Sequence, residues 1–331
     1  MTHVNMDSNI NTDSEKVVNS DRFKKFKHSF SEFGVIWALI VIVIAISILT
    51  PNFLNTENLI NLLRQVSINA ILAIGMTYVI LTKGIDLSVG SILAFSGIIA
   101  ASFVTSGENN LFLAILLGLG SGLLLGFING FVIAKFKVTP FIVTLGMMAV
   151  ARGLAFIYSD GRPVSNLSEG FLLIGGGEFL SIPISIWITA VVFIIFSLVL
   201  YQTRFGRYVY AIGGSENAAR ISGIRVERSL IWVYSIMGLL AGLAGVILSS
   251  RVSAGLPQAG TAYELDAIAA VVIGGTSLNG GKGRLWGTII GVLIIGVINN
   301  GLDLLGVSSY WQQVVKGSII VLAVMLDRKR A

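Results

Sequence analysis

Ten apolar stretches follow one another along this chain, near residues 34–50, 66–83, 88–106, 111–134, 139–158, 183–201, 230–250, 263–280, 285–303 and 309–326. A helix needs about 20 residues to cross a hydrocarbon core of about 30 Å, and these stretches are of that order. The stretch at 263–280 is the weakest, because Glu264 and Asp266 stand at its start. Composition agrees with the count. The residues AVILMFWYC make up 54% of the 331, and charged residues only 12%, about half their share in a soluble domain. A soluble chain of this size has no interior large enough to hide so much apolar surface. The expected fold class is an all-α polytopic membrane protein of about ten transmembrane helices.

The first 33 residues are polar and end in the basic run Arg22, Lys24, Lys25 and Lys27. The first apolar run begins only near Gly34, far later than in a cleaved signal peptide. Residues 1–33 are therefore expected to be a disordered cytoplasmic tail, with the membrane domain over 34–330. Placing the N-terminus inside puts 18 of the 23 basic residues on cytoplasmic segments, among them Lys83, Lys135, Arg204, Lys282 and Arg330. That is the asymmetry of the positive-inside rule, and it calls for an even number of spans with both termini cytoplasmic.

Several function classes drop out. The net charge of +6 is scattered between apolar stretches, with no aromatic-interleaved basic face of the kind that binds nucleic acid. There is no cysteine, and both histidines, His3 and His28, precede the first span. Thiol chemistry, histidine proton relays and Ser-His-Asp hydrolysis are thereby removed.

The two halves resemble one another. Gly118, Gly122, Gly126 and Gly130 form a ladder in the fourth stretch, ending in Gly126-Phe-Ile-Asn129. The ninth stretch carries Gly287 and Gly291, then Gly296-Val-Ile-Asn299. Single basic residues follow in the fifth and tenth stretches, Arg152 and Lys316. An offset of five helices makes the repeat inverted, a recurring transporter design with its pathway at the repeat interface. The glycines by themselves need mean only that helices approach closely.

Polar residues at span ends are the candidates for chemistry. Asp86 and Ser88, at the start of the third span, suit capping of that helix and equally suit a gate or pathway. The same two readings apply to Glu264 and Asp266 at the start of the eighth. Asn129, Asn299, Arg152 and Lys316 are polar groups inside apolar helices, where such residues face the bundle interior or a water-filled path. Gly274-Gly-Thr-Ser-Leu-Asn-Gly-Gly-Lys-Gly-Arg284 superficially suggests a phosphate loop. It has Thr276 and Gly283 where that motif requires glycine and Ser or Thr, so a flexible turn is expected and no nucleotide.

Segment 202–229 holds the most specific pattern. Glu216 to Arg220 reads as a short helix capped by Ser215 and ended by Gly223, suited to receive a partner protein. This pattern resembles the coupling motif of ABC importer permeases, an E-x-A-A followed by x-x-x-G, here Glu216-Asn-Ala218-Ala219, Arg220 and then Gly223. Thr50-Pro-Asn-Phe53, Leu81-Thr-Lys-Gly-Ile-Asp-Leu-Ser-Val-Gly-Ser91, Glu264-Leu-Asp-Ala267 and Asn299-Asn-Gly-Leu302 are similar to the monosaccharide branch of that family, in particular its ribose permeases.

The resemblance covers about residues 34–330. It implies a bacterial inner-membrane permease, a homodimer, working with a cytoplasmic ATPase that binds ATP and Mg and with a periplasmic sugar-binding protein. No cofactor is expected on this chain itself, and membrane lipid is its surroundings. The rival reading is an ion-coupled secondary sugar carrier, for which Asp86 or Asp266 would be the intramembrane carboxylate. An intramembrane enzyme lacks the residues it would need.

Overall fold

The computed structural model describes residues 34–105 and 110–328. The tail expected over residues 1–33 lies outside the described residues. In chain order the helices begin with α1 (Gly34–Leu49), a 3-10 turn at Pro51–Leu54, α2 (Thr56–Leu81), α3 (Val89–Ser102), α4 (Leu111–Phe136) and α5 (Pro140–Tyr158). Short α6 (Glu169–Gly176) and a hairpin of β1 (Glu178–Phe179) with β2 (Ile182–Pro183) lead to α7 (Ile184–Gln202). Then come α8 (Arg204–Gly214), α9 (Glu216–Ile221), α10 (Val226–Arg251), α11 (Tyr263–Ile273), α12 (Leu285–Leu304) and α13 (Ser309–Arg328). A helix occupies each of the ten apolar stretches. Apart from that 3-10 turn, the only departures from all-α among the described residues are the two-residue strands and the isolated bridges Thr105–Leu167 and Val164–Gly255.

Six of these helices, α2, α4, α5, α7, α10 and α12, are long and apolar enough to cross a membrane, with α1 and α3 as shorter apolar helices. Two boundaries differ most from expectation. Helix α2 begins at Thr56 because Asn55 caps it, accepting a hydrogen bond from the Glu57 amide at 3.2 Å. The polar residues of that first stretch, Glu57, Asn58, Asn61 and Arg64, lower its hydropathy and disguise it. Helix α11 stops at Ile273, since Gly275 turns the chain with φ +88°. At 1.5 Å per residue its 11 residues extend about 16 Å, half a bilayer.

The core is built on α2, α3, α10, α11 and α12. Ile71, Leu72, Met76, Ile92, Met237 and Val271 are fully buried there. Helices α4, α5 and α7 instead turn Phe112, Leu124, Ile142, Ile157 and Ile194 outward. A wide apolar exterior over a packed centre is the arrangement for a chain whose solvent is lipid. This is a multi-pass membrane protein.

The glycine ladder sets how closely the centre assembles. A Cβ at Gly126 would lie 2.8 Å from Gly238 Cα, and one at Gly122 2.9 Å from Gly242 Cα. Helices α4 and α10 therefore meet backbone to backbone, as small residues allow in membranes. Gly120, on the same helix, faces open space. We expect Gly122→Ala to lower stability by about 1–3 kcal/mol through overpacking, whereas Gly120→Ala leaves it unchanged or raises it slightly. Thermal unfolding of the two variants in detergent checks the contrast, and equal losses would show that the ladder does not set the contact.

Candidate functional site at the meeting point of two short helices

The site begins with two broken spans. Between α2 and α3 the chain makes a buried turn in which Asp86 Oδ1 accepts from the Ser88 amide at 2.9 Å and the Ser88 hydroxyl at 2.6 Å. Asp86 is thus the residue that caps the turn, while Ser88 makes no side-chain cap bond of its own. The Asn129 amide on α4 donates to Ser88 Oγ at 2.9 Å, and Thr144 on α5 donates to the Ile85 carbonyl at 3.1 Å. Asp86, Ser88 and Asn129 are fully buried. The structure brings these three candidates together.

The second half also places a buried carboxylate and an asparagine together, here in direct contact. Asp266, in the first turn of α11, accepts from Asn299 of α12 at 3.4 Å and forms an ion pair with Lys316 of α13 at 2.9 Å. Asp266 is only 3% exposed, so a charge there needs such a partner. Arg152, the basic residue within α5, does not pair with Asp86. Its guanidinium instead donates to the carbonyls of Pro257 and Ala259 at 2.6 and 2.8 Å, within electrostatic reach of Glu264.

The two broken spans meet end to end. Gly260, with φ +69°, presses on Gly90 so closely that a Cβ on it would lie 2.6 Å from the Gly90 carbonyl oxygen. A Cβ on Gly90 would also lie 2.6 Å from Glu264 Oε2. The Glu264 carboxylate therefore stands against the first turn of α3, where the helix dipole favours it. Half-helix starts facing one another inside the bundle are how many transporters build a solute or ion site.

Segment 202–229 stands apart on the face that also holds the α2–α3 turn. Ser215 caps α9 through the Ala218 amide at 3.3 Å, and Gly223 ends it with φ +82°, as the sequence predicts. Ala219 is buried with Ile212 and Val226, while Ala218 faces out. Arg220 is bonded to Glu216 at 2.9 Å and also to Glu227, which fixes α9 on the start of α10. Ile221, 88% exposed, stands out from this polar surface. A cleft of about 350 Å³ separates α9 from the α2–α3 turn, with Lys83, Gly84, Lys137, Arg220 and Tyr234 on its walls.

Three ties escape sequence reasoning. Asn58 and Asn300 exchange hydrogen bonds at 2.9 and 2.8 Å between α2 and α12. Tyr201 accepts from the Leu285 amide at 2.9 Å. Tyr210 donates to the Gly283 carbonyl at 2.8 Å, and burial pushes its phenol up to about 12, which keeps it a neutral donor.

Broken helices meeting inside an apolar bundle, with a compact helix held outside it, define a membrane transport permease. The chain belongs to the family described as branched-chain amino acid transport system, permease component, which it matches over residues 58–324. It is 52% identical over 308 residues to the ribose import permease protein RbsC of Bacillus subtilis, covering 92% of this chain and 95% of that one. RbsC of Escherichia coli K12 is 52% identical over 297 residues, 88% of this chain and 92% of the relative. The L-arabinose ABC transporter permease protein AraH of Azospirillum brasilense is 40% identical over 301 residues, 90% and 87% of the two chains. No solved structure matches.

Ser88→Ala tests the first of the two clusters. It removes one donor to Asp86 and the acceptor of the Asn129 amide in a fully buried place, at a cost of about 1–3 kcal/mol. Ser318→Ala, at an exposed position bonded only to its own helix, should cost far less. Comparing the melting temperatures of the two variants decides it.

Proposed function

We propose that this chain is the membrane permease subunit of an ATP-driven ABC importer carrying ribose, or a closely related monosaccharide, from periplasm to cytoplasm by alternating access. Ribose is favoured because identity to the ribose permeases, 52%, exceeds the 40% to the arabinose relative. The observation that carries the mechanism is α9, a capped helix held outside the apolar bundle with Glu216, Ala218, Arg220 and Ile221 turned outward. The partner ATPase docks there, binds ATP and Mg, and hydrolyses it. This chain contributes no catalysis.

In this reading ten apolar segments lie in the bacterial inner membrane, the eighth through the half-length helix α11, in an inverted five-plus-five arrangement with both termini cytoplasmic. A periplasmic binding protein delivers sugar to the opposite face. The permease works as a homodimer. Supporting this, the outer faces of α5 and α13 expose Val150, Leu154, Val314 and Val321, and Gly146, Gly153 and Gly317 meet nothing within 4 Å. Lipid covers the remaining apolar surface. Asp86, Ser88, Asn129, Glu264, Asp266 and Asn299 flank the pathway where the broken spans meet, and Arg152 and Lys316 serve the gate. The carrier reading has less support, because Asp266 is already committed to Lys316 and Asn299.

Reversing a charge on the docking helix is the direct test. Glu216→Lys should lower sugar import and the stimulated ATPase by about tenfold or more, while the protein still inserts and folds. Import assays on the reconstituted complex measure it. Normal import by that variant, or uptake by vesicles lacking any ATPase, would remove this reading.

A further inference from the structure

The two basic residues related by the inverted repeat do not grip related partners. Lys316 holds Asp266 in the first turn of α11. By symmetry Arg152 should hold Asp86 at the start of α3. It reaches instead across the repeat boundary to the carbonyls of Pro257 and Ala259, the chain leading into α11. Asp86 forms no ion pair among the described residues. The chain entering α11 and its first turn are therefore held by cations from two helices, α5 and α13, whereas the start of α3 is held only by the neutral donors Asn129 of α4 and Thr144 of α5.

The other end of α11 lies against the coupling unit. The turn after it is bonded to itself, with the Ser277 amide on the Lys282 carbonyl at 2.9 Å and the Gly280 amide on the Ser277 carbonyl at 3.0 Å. That turn touches α8 through backbone. A Cβ on Gly281 would lie 2.8 Å from the Gly214 amide, and one on Gly280 3.1 Å from the Gly213 carbonyl. Tyr210 bonds Gly283, and the Gly281 amide bonds the Leu81 carbonyl at the end of α2 at 2.9 Å. Contacts of this kind leave no side-chain slack. A displacement of α8 and α9 reaches α11 as a displacement, not as a change of rotamer.

We propose that α11 is the strut that carries movement of the docked coupling unit to α5 and α13, with Arg152 and Lys316 as the positioning residues at its far end. The proposal rests on the ATP-driven reading above and names the route the energy takes. Between the two ends, Ala267 to Val272 are buried and rigidly packed. At the far end, charge-assisted bonds to two peripheral helices turn one movement into two. A static support would need neither the doubled grip nor the backbone contact with α8.

The test is sugar imported per ATP hydrolysed, in vesicles holding this chain, its ATPase and saturating ribose-loaded binding protein. Lys316→Met and Arg152→Met should each lower that ratio about two- to thirtyfold, the range in which residues along a coupling route act. Stimulated hydrolysis should stay within about twofold of wild type. Lys316→Arg keeps the pair and should keep the ratio.

Lys316→Met strands a buried carboxylate and risks misfolding. The neutral double variant Asp266→Asn with Lys316→Met removes that risk and should show the same lowered ratio. Import and hydrolysis falling together, or a ratio that does not change, would each overturn the strut. A wild-type complex that hydrolyses ATP without importing sugar would instead overturn the importer reading.

Discussion

Helices α4 and α10 touch through their backbones, and the rest of the molecule is arranged around that contact. Lipid offers no hydrophobic reward for burying a leucine, so helices associate in it by close van der Waals fit and by satisfying polar groups. Glycines at 118, 122, 126 and 130 strip one face of α4, and Gly238 and Gly242 strip the facing side of α10. Gly245 then brings α10 equally close to α3, where a Cβ would lie 3.0 Å from the Gly97 amide. Three helices are thus locked at near-minimum separation. Their bulky residues have nowhere to go but outward, into lipid, or sideways into the core shared with α2.

Such a tight centre makes polar groups expensive, and the two halves meet that expense differently. Asp86 is absorbed by local chain geometry, accepting two bonds from Ser88 within its own turn. Asp266 is absorbed by tertiary contacts, from Lys316 fifty residues away and Asn299 thirty-three away. A carboxylate satisfied by its own turn moves with that turn. One satisfied by neighbouring helices ties their positions together. The same residue type therefore binds only its own turn at the start of α3 and joins three helices at the start of α11.

Much of this was legible in the sequence because the relevant signals are local. Apolar length marks all ten helices, and Ser215 and Gly223 mark both ends of α9 at positions that the structure keeps. What stayed hidden depends on partners distant along the chain. Nothing near Arg152 reveals that its partners are carbonyls 105 and 107 residues further on. The start of α2 was obscured because hydropathy averages Glu57, Asn58, Asn61 and Arg64 into a loop-like value, although Asn55 supplies a normal cap and Asn58 finds Asn300 only in the folded bundle. The end of α11 was misplaced for the opposite reason. Val271, Val272 and Ile273 keep the window apolar, and a single positive φ at Gly275 overrides them.

Glycine links the two scales, because it does opposite work at the centre and at the rim. In α4 and α10 it removes side chains so that helices cannot slide or rotate without backbone collision. In the turn after α11, Gly275, Gly280 and Gly281 all take positive φ, where L side chains are strained. Those conformations curl the turn back so that its amides reach Leu81 and its own residues, and so that α8 rests directly on it. A longer, side-chain-mediated contact would absorb a small movement of α9 through rotamer changes. A glycine turn held by backbone hydrogen bonds has no such freedom, which makes the junction between the exposed helix and the buried bundle stiff.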